Sequence, residues 1–263
     1  MKSPLWVFII FLLVLQSCDS NKISRGKKDS KRWVSLFNGK DLDNWIPKIA
    51  GYKTGINYGN TFRVGHGQLS IRYNEYDSGF KKKFGALYYN KKFTNFRLRV
   101  QYRFVGETVE GGPPWGYKDG GIQYYCQPPE TVGLDQPFVV CLEYHLLGGT
   151  NKLQRPTGGV CASGMYIQIN RKRNTSYCTE PVVEKNFKRS QWIVAEIDVN
   201  NGKITHFVNG KEVIQFENPR FISTNALARK LIINGDDVVR DGYISLQSNS
   251  HPIDFKKIEI MEY

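Results

Sequence analysis

From Trp33 to Tyr263 the sequence predicts an all-β domain, a sandwich or jelly roll of two sheets, and three observations carry the prediction. The first is the run Phe96 to Val105, where Phe96, Leu98, Val100, Tyr102 and Phe104 alternate with Arg97, Arg99, Gln101 and Arg103. A period of two with one apolar face is a strand lying on a core. The second is a pair of turns, Asn201-Gly202 and Asn209-Gly210, which divide residues 192–199, Lys203–Val208 and Lys211–Phe216 into a three-stranded meander. Both central positions of a tight hairpin need positive φ, which Asn and Gly tolerate. The third is the lack of any long apolar stripe at helical spacing; Asn225–Arg229 comes nearest to one.

Taken in order, residues 1–17 hold an early Lys2, an apolar run from Leu5 to Leu15 and a short polar end. That is the layout of a secretory signal, and the run is too short to span a bilayer comfortably. Leu15-Gln16-Ser17-Cys18 resembles a bacterial lipobox, so Cys18 is expected to be acylated and to anchor the exported chain in the cell envelope, facing the periplasm or the surface. Residues 18–32 are polar and free of aromatics; they bury too little to order themselves and read as a tether. Residues 33–263 suit one β-sandwich and are not divided further. Other expected strands are Val34–Phe37, Thr61–Val64, Gln68–Tyr73, Gly85–Tyr89, Gly121–Cys126, Val139–Leu147, Met165–Ile169, Tyr243–Gln247 and Phe255–Met261. Between them lie irregular stretches at Asn38–Asn60, Gly106–Lys118, Gln127–Phe138 and Gly148–Gly164. Ordered loops that long in a compact domain usually serve a function.

The formal charge of +13 does not point to nucleic acid. The basic residues are spread over strand faces, no nucleic-acid motif accompanies them, and the chain is expected to be exported. A solvated basic surface is the favoured reading, with attraction to anionic lipid or acidic glycan as the alternative. Setting Cys18 aside, Cys126, Cys141, Cys161 and Cys178 form an even set that permits three pairings in an oxidising compartment, and none has zinc-ligand spacing. Cys161 with Cys178 is the expected bridge, closing a Gly-, Asn- and Arg-rich excursion too polar to hold its own shape. Cys126 and Cys141 are left open between a second bridge and buried thiols.

Chemistry concentrates in Val139–Leu147. If Val140, Leu142, Tyr144 and Leu146 take the core side, Cys141, Glu143 and His145 share the opposite face. Residues two apart on a strand lie roughly 6.5–7 Å from each other, so a carboxylate and an imidazole can both reach one ligand there; a cross-strand ion pair or a solvated sheet face is the other reading of the same pattern. These are the types needed for proton transfer or metal ligation. Asp119 and Gln123 flank a glycine pair that permits close approach, and Gln247 ends a late strand in the polar run Ser248–His251. Trp115, in a Gly/Pro loop, offers a flat face to a sugar ring. Gly-x-Ser-x-Gly, His-Glu-x-x-His, phosphate-loop and dinucleotide signatures are absent, which weakens esterase, protease, kinase and dehydrogenase readings.

Several of these pieces, in order, resemble one family. Leu36-Phe37-Asn38-Gly39-Lys40-Asp41-Leu42-Asp43-Asn44-Trp45 is similar to the opening signature of the 3-keto-disaccharide hydrolase domain family. Gly120-Gly121-Ile122-Gln123, Leu142-Glu143-Tyr144-His145, Val208-Asn209-Gly210-Lys211 and Ile244-Ser245-Leu246-Gln247 with His251, then Phe255–Ile260, resemble its later motifs. The chain departs from it in having His145 where the family often has Gln, and Asp119-Gly120-Gly121 in place of Asn-Ser-Gly. The resemblance implies a concanavalin A-like jelly roll of two antiparallel sheets that acts on glycosides oxidised at the sugar C3. It also implies Glu143 as base or metal ligand, His251 as acid or metal ligand, and Gln247 as a site residue. On this reading Glu143, His145, Gln123 and His251 line one cavity, with Trp115, Asp119, Gln123 and Gln247 contacting the sugar. A divalent metal is left open, as is the oligomeric state. A non-catalytic carbohydrate-binding lipoprotein is the runner-up.

Overall fold

A computed structural model describes residues 32–182, 187 and 191–263; the signal segment, Cys18 and most of the tether lie outside the described residues. The chain runs through β1 (Val34–Ser35), β2 (Trp45–Ile49), β3 (Phe62–Gly65), β4 (Gln68–Ile71), β5 (Gly85–Phe93), β6 (Phe96–Phe104), β7 (Asp119–Cys126), β8 (Cys141–Leu147) and β9 (Val160–Ser163). It continues through β10 (Met165–Ile169), β11 (Lys172–Asn174), β12 (Cys178–Thr179), β13 (Ile193–Asn200), β14 (Lys203–Val208), β15 (Lys211–Phe221), β16 (Gly242–Ser248) and β17 (Ile253–Glu262). Helical structure among the described residues is limited to single 3-10 turns, one at Ala228–Leu231 beside the weak helical stretch in the sequence.

Two antiparallel sheets result. One has the order β11-β10-β15-β14-β13-β6-β17-β4-β3 with β1 added to β17, and the other the order β12-β9-β8-β7-β16-β5-β2. This is the two-sheet jelly roll that the alternation predicts. The apolar side of β6 (Leu98, Val100, Tyr102) is fully buried against Ile122, Tyr124, Leu142, Tyr144 and Leu246 of the facing sheet. Each fully buried Leu or Ile contributes about 1.5–3 kcal/mol. The polar side of β6 pairs its charges: Arg97 and Arg99 reach Glu196 at 3.1 and 3.4 Å, and Arg103 reaches Asp254 at 2.9 Å.

Two expectations change. Trp45–Ile49 is a strand inside a stretch expected to be irregular; Pro47 hid it, and it survives because β2 is a sheet edge bonded to β5 on one side only. Val160–Ser163, also expected to be loop, is a strand between β8 and β12, held by pairing with each. In β7 a bulge at Tyr125 (φ 53°) turns two consecutive tyrosines inward and sends Cys126 out beside Cys141 and Tyr88. His206 is wholly buried, its ring nitrogens 2.8 Å from the Tyr124 hydroxyl and 3.0 Å from the Gly158 carbonyl. Burial drives its pKa down to about 4, so it is a neutral core residue.

Candidate active site

Strand period two sorts β8 into its roles. Val140, Leu142, Tyr144 and Leu146 enter the core, and Glu143 and His145 emerge together on the outer face of the second sheet. Over that face loops close a cavity of about 560 Å³. Its floor is Asp119 of β7, Glu143 and His145 of β8, Cys161 and Ser163 of β9, and Gln247 of β16. Its walls include Trp115, Phe138, Arg155, Tyr177, Leu227 and Asn249. Trp115 lies parallel to Phe84 (centroids 5.6 Å, 8° between planes) and remains 46% exposed, an aromatic platform at the rim.

Glu143 is held from behind. Ser245 donates to Gln123 Oε1 at 2.8 Å, which fixes that amide so that its Nε2 donates to Glu143 Oε2 at 3.1 Å. Gly121 leaves the necessary room: a Cβ there would stand 2.4 Å from the Glu143 carboxyl carbon. Burial raises the Glu143 pKa to about 7; the nearby His145 charge opposes that rise and the Asp119 charge adds to it. A carboxyl so placed exchanges protons near neutrality.

His145 is oriented by Asp119, with Nε2 3.2 Å from Oδ2. Burial disfavours the charged ring, but the Asp119 hydrogen bond and the charges of Asp119 and Glu143 outweigh it, and the pKa is raised. Asp119 is itself anchored by Arg155 at 3.0 Å and by Asn249 Nδ2 at 2.9 Å, and the same Asn249 nitrogen lies 2.6 Å from Gln247 Oε1. Asn249 lines the cavity but is only 2% exposed, and among the described residues its buried Oδ1 has no hydrogen-bond partner.

The structure thus brings Glu143, His145, Asp119, Gln247 and Trp115 together. Gln123 touches Glu143 instead of the cavity wall. His251 does not join them. It is wholly buried, with Nδ1 2.9 Å from Thr108 Oγ1 and its ring edge-on to Phe104 and Tyr117. The alternation that runs on past the end of β16 breaks at Ser250 (φ 86°), which leaves Asn249 at the cavity and His251 buried away from it. Arg155, Asn249 and Tyr177 are site residues that the sequence reading did not single out. Asn249 stood in a polar run already noted, and Tyr177 adjoins Cys178.

Cys161 and Cys178 are joined in a disulfide across the β9–β12 pair, and Cys126 and Cys141 are buried free thiols. Among the described residues, His145, Cys161 and Cys178 bring three ligating atoms within 4.8 Å of one another. With both sulfurs in a disulfide, this trio supplies one imidazole nitrogen and no thiolate, which does not fit a divalent metal.

The sequence profile of the 3-keto-alpha-glucoside-1,2-lyase-like domain matches residues 32–261. The chain belongs to this family. No curated protein matches it. Among solved structures, it is similar to a glycosyl hydrolase candidate from Parabacteroides distasonis ATCC 8503 at 16% identity and TM-score 0.53, over 88% of this chain and 94% of the other. A Bacillus subtilis protein of unknown function with a galectin-like fold matches at 7% identity and TM-score 0.53, over the same shares. A structure from a study of endo-acting O-glycanases of the human gut microbiota matches at 14% identity and TM-score 0.53, over 89% of this chain and 100% of the other. Identities this low show a shared fold alone. Family membership makes the function of the 3-keto-alpha-glucoside-1,2-lyase-like domain carbohydrate-related.

Proposed function

We propose that the chain is an enzyme that cleaves 3-keto-glycosides by elimination. The observation that carries this reading is a buried carboxyl with a pKa near neutrality, Glu143, beside an Asp119-paired imidazole at the floor of a ligand-sized cavity. A ketone at C3 acidifies the C2 hydrogen. Glu143 takes that proton, and the electron pair forms a C2–C3 enolate. With Nε2 committed to Asp119, His145 as imidazolium turns Nδ1–H toward the enolate oxygen and stabilises its charge. The enolate then expels the anomeric substituent, leaving a C1–C2 double bond to which water adds. Trp115, exposed at the rim, stacks on the sugar ring.

With His251 outside the cavity, the leaving group needs another acid. Tyr177 lines the same space, and partial burial together with the Glu143 charge raises its pKa, so it is a phenol at neutral pH. Tyr177→Phe is expected to slow release of a sugar alcohol by about 10²-fold, within the span of general acid catalysis. Release of nitrophenolate, which leaves without a proton, is expected to change little. Equal losses for both leaving groups, measured as kcat, would argue for a packing role.

The reading is tested by incubating the chain with a panel of 3-keto-glycosides and the parent glycosides. Release of the aglycone from the oxidised sugars only is expected. Binding without turnover across the panel would identify a carbohydrate-binding protein. We further propose that the chain is exported and anchored through Cys18, a reading supported by the order of residues 1–18. Cells fed labelled palmitate are expected to label it, and Cys18→Ala is expected to abolish the label; label that persists would refute the anchor.

A further inference from the structure

We propose that reduction of the Cys161–Cys178 disulfide converts the cavity floor into a soft-metal site, in which both cysteines and His145 bind a zinc-class cation. A ring nitrogen of His145 and the two sulfurs already lie within 4.8 Å of one another, and all three residues line the cavity. Their positions follow from strand register. Cys161 is paired with Glu143 across β8 and β9, and Cys178 is paired with Cys161 across β9 and β12. The sulfurs therefore project on the face that carries Glu143 and His145.

As a disulfide the sulfurs are poor ligands. Cys178 is on the exposed side of the pair and Cys161 is buried, so an incoming thiolate attacks the Cys178 sulfur. The S–S bond breaks, a mixed disulfide forms, and Cys161 leaves as the thiolate. A second thiolate of the same dithiol reductant then closes its own disulfide and releases Cys178. Two electrons pass from reductant to protein, and the thiol protons leave to solvent when a metal binds.

Two thiolates and one neutral imidazole are a three-ligand set for Zn²⁺, with the fourth position open toward the cavity. Zn–S near 2.3 Å and Zn–N near 2.0–2.1 Å place neighbouring ligand atoms roughly 3.5–4 Å apart, so on reduction the two sulfurs must separate from bonding distance while the imidazole nitrogen and the sulfurs draw together by up to about an ångström. The part that moves is β12, two residues long at the end of its sheet and paired to β9 alone. Hard-oxygen cations are not expected to compete, because the donor set is sulfur and nitrogen. If His145 also acts as proposed above, a metal bound to it removes the imidazolium and blocks turnover.

The test uses the full chain, reduced with a phosphine under anaerobic conditions and titrated with Co²⁺. The expected result is one equivalent bound, with thiolate-to-cobalt charge-transfer absorption that Zn²⁺ bleaches and Mg²⁺ does not. The oxidised chain is expected to show none, and neither is the reduced Cys161→Ser, Cys178→Ser double variant, which keeps the other cysteines. His145→Ala should weaken Co²⁺ binding by at least about 10-fold, the loss that even outer-shell changes produce. Equal uptake by oxidised and reduced chains, uptake retained in the double variant, or loss of the β-sheet circular dichroism on reduction would each overturn the proposal. These readouts do not depend on turnover, so they stand or fall apart from the elimination chemistry.

Discussion

Glu143→Gln is expected to lower turnover of a 3-keto-glycoside by about 10²–10⁴-fold, the usual contribution of a positioned general base. The amide keeps the shape of the side chain and cannot take the C2 proton. In the parent enzyme, activity should rise with pH as Glu143 ionises through about 7 and fall again as His145 loses its proton. The variant should lose the rising limb. Its stability should move the other way. Glu143 has a folded pKa of about 7, raised from a model-compound value of 4.5, so the folded state holds its proton more tightly. Below pH 4.5 both states are protonated and burial carries no charge cost. As pH climbs from 4.5 to 7 the cost of a buried carboxylate grows, and above 7 it is constant at about 3 kcal/mol or less. Gln carries no such cost. Thermal unfolding should therefore show the variant more stable than the parent at pH 8 and equal to it near pH 4. A variant with parental turnover would remove Glu143 from the reaction.

The second large effect is expected from one methyl group. In Gly121→Ala the new Cβ would meet the Glu143 carboxyl carbon at 2.4 Å and Oε2 at 2.7 Å. These atoms, with Glu143 Cγ at 2.6 Å, all belong to one side chain and none to the backbone, so the collision is relieved by swinging that side chain and its carboxyl aside instead of moving the strand. A misplacement of about 1 Å in a reacting group costs on the order of 10²-fold in rate. Turnover should fall by about that factor, with kcat lowered more than KM raised, because Trp115 and Asn249 lie elsewhere on the cavity wall. The circular dichroism spectrum should match the parent. If the substitution unfolds the protein, the glycine serves the packing of β7 and β8 and not the placement of Glu143.

Where one face of a strand packs on the core and the other does not, the fold was legible in the sequence. The alternation of β6 and β8 and the Asn-Gly turns of β13 to β15 located those strands closely. β7 was expected at Gly121–Cys126 and begins two residues earlier, at Asp119; its residues are buried along the whole length. β9 and β12 are built from small and polar residues held in place by neighbours and a disulfide, and β2 carries a proline that only an edge tolerates. The floor of the site was visible for the same reason as the fold, since period two places Glu143 and His145 on one face. Its walls were not. Arg155 and Tyr177 come from loops whose approach to β8 is decided by tertiary packing, and the left-handed residue Ser250, where glycine is the usual signal, hid the turn that carries His251 away.

Incubating a 3-keto-sugar that bears no leaving group at C1 with the protein in deuterium oxide, and following the C2 hydrogen by proton NMR, isolates the first chemical step. The parent protein should exchange that hydrogen far faster than buffer does, and Glu143→Gln should exchange it no faster than buffer. Exchange at the same rate by parent and variant, or by neither above background, would contradict a carboxylate base at the floor of this cavity.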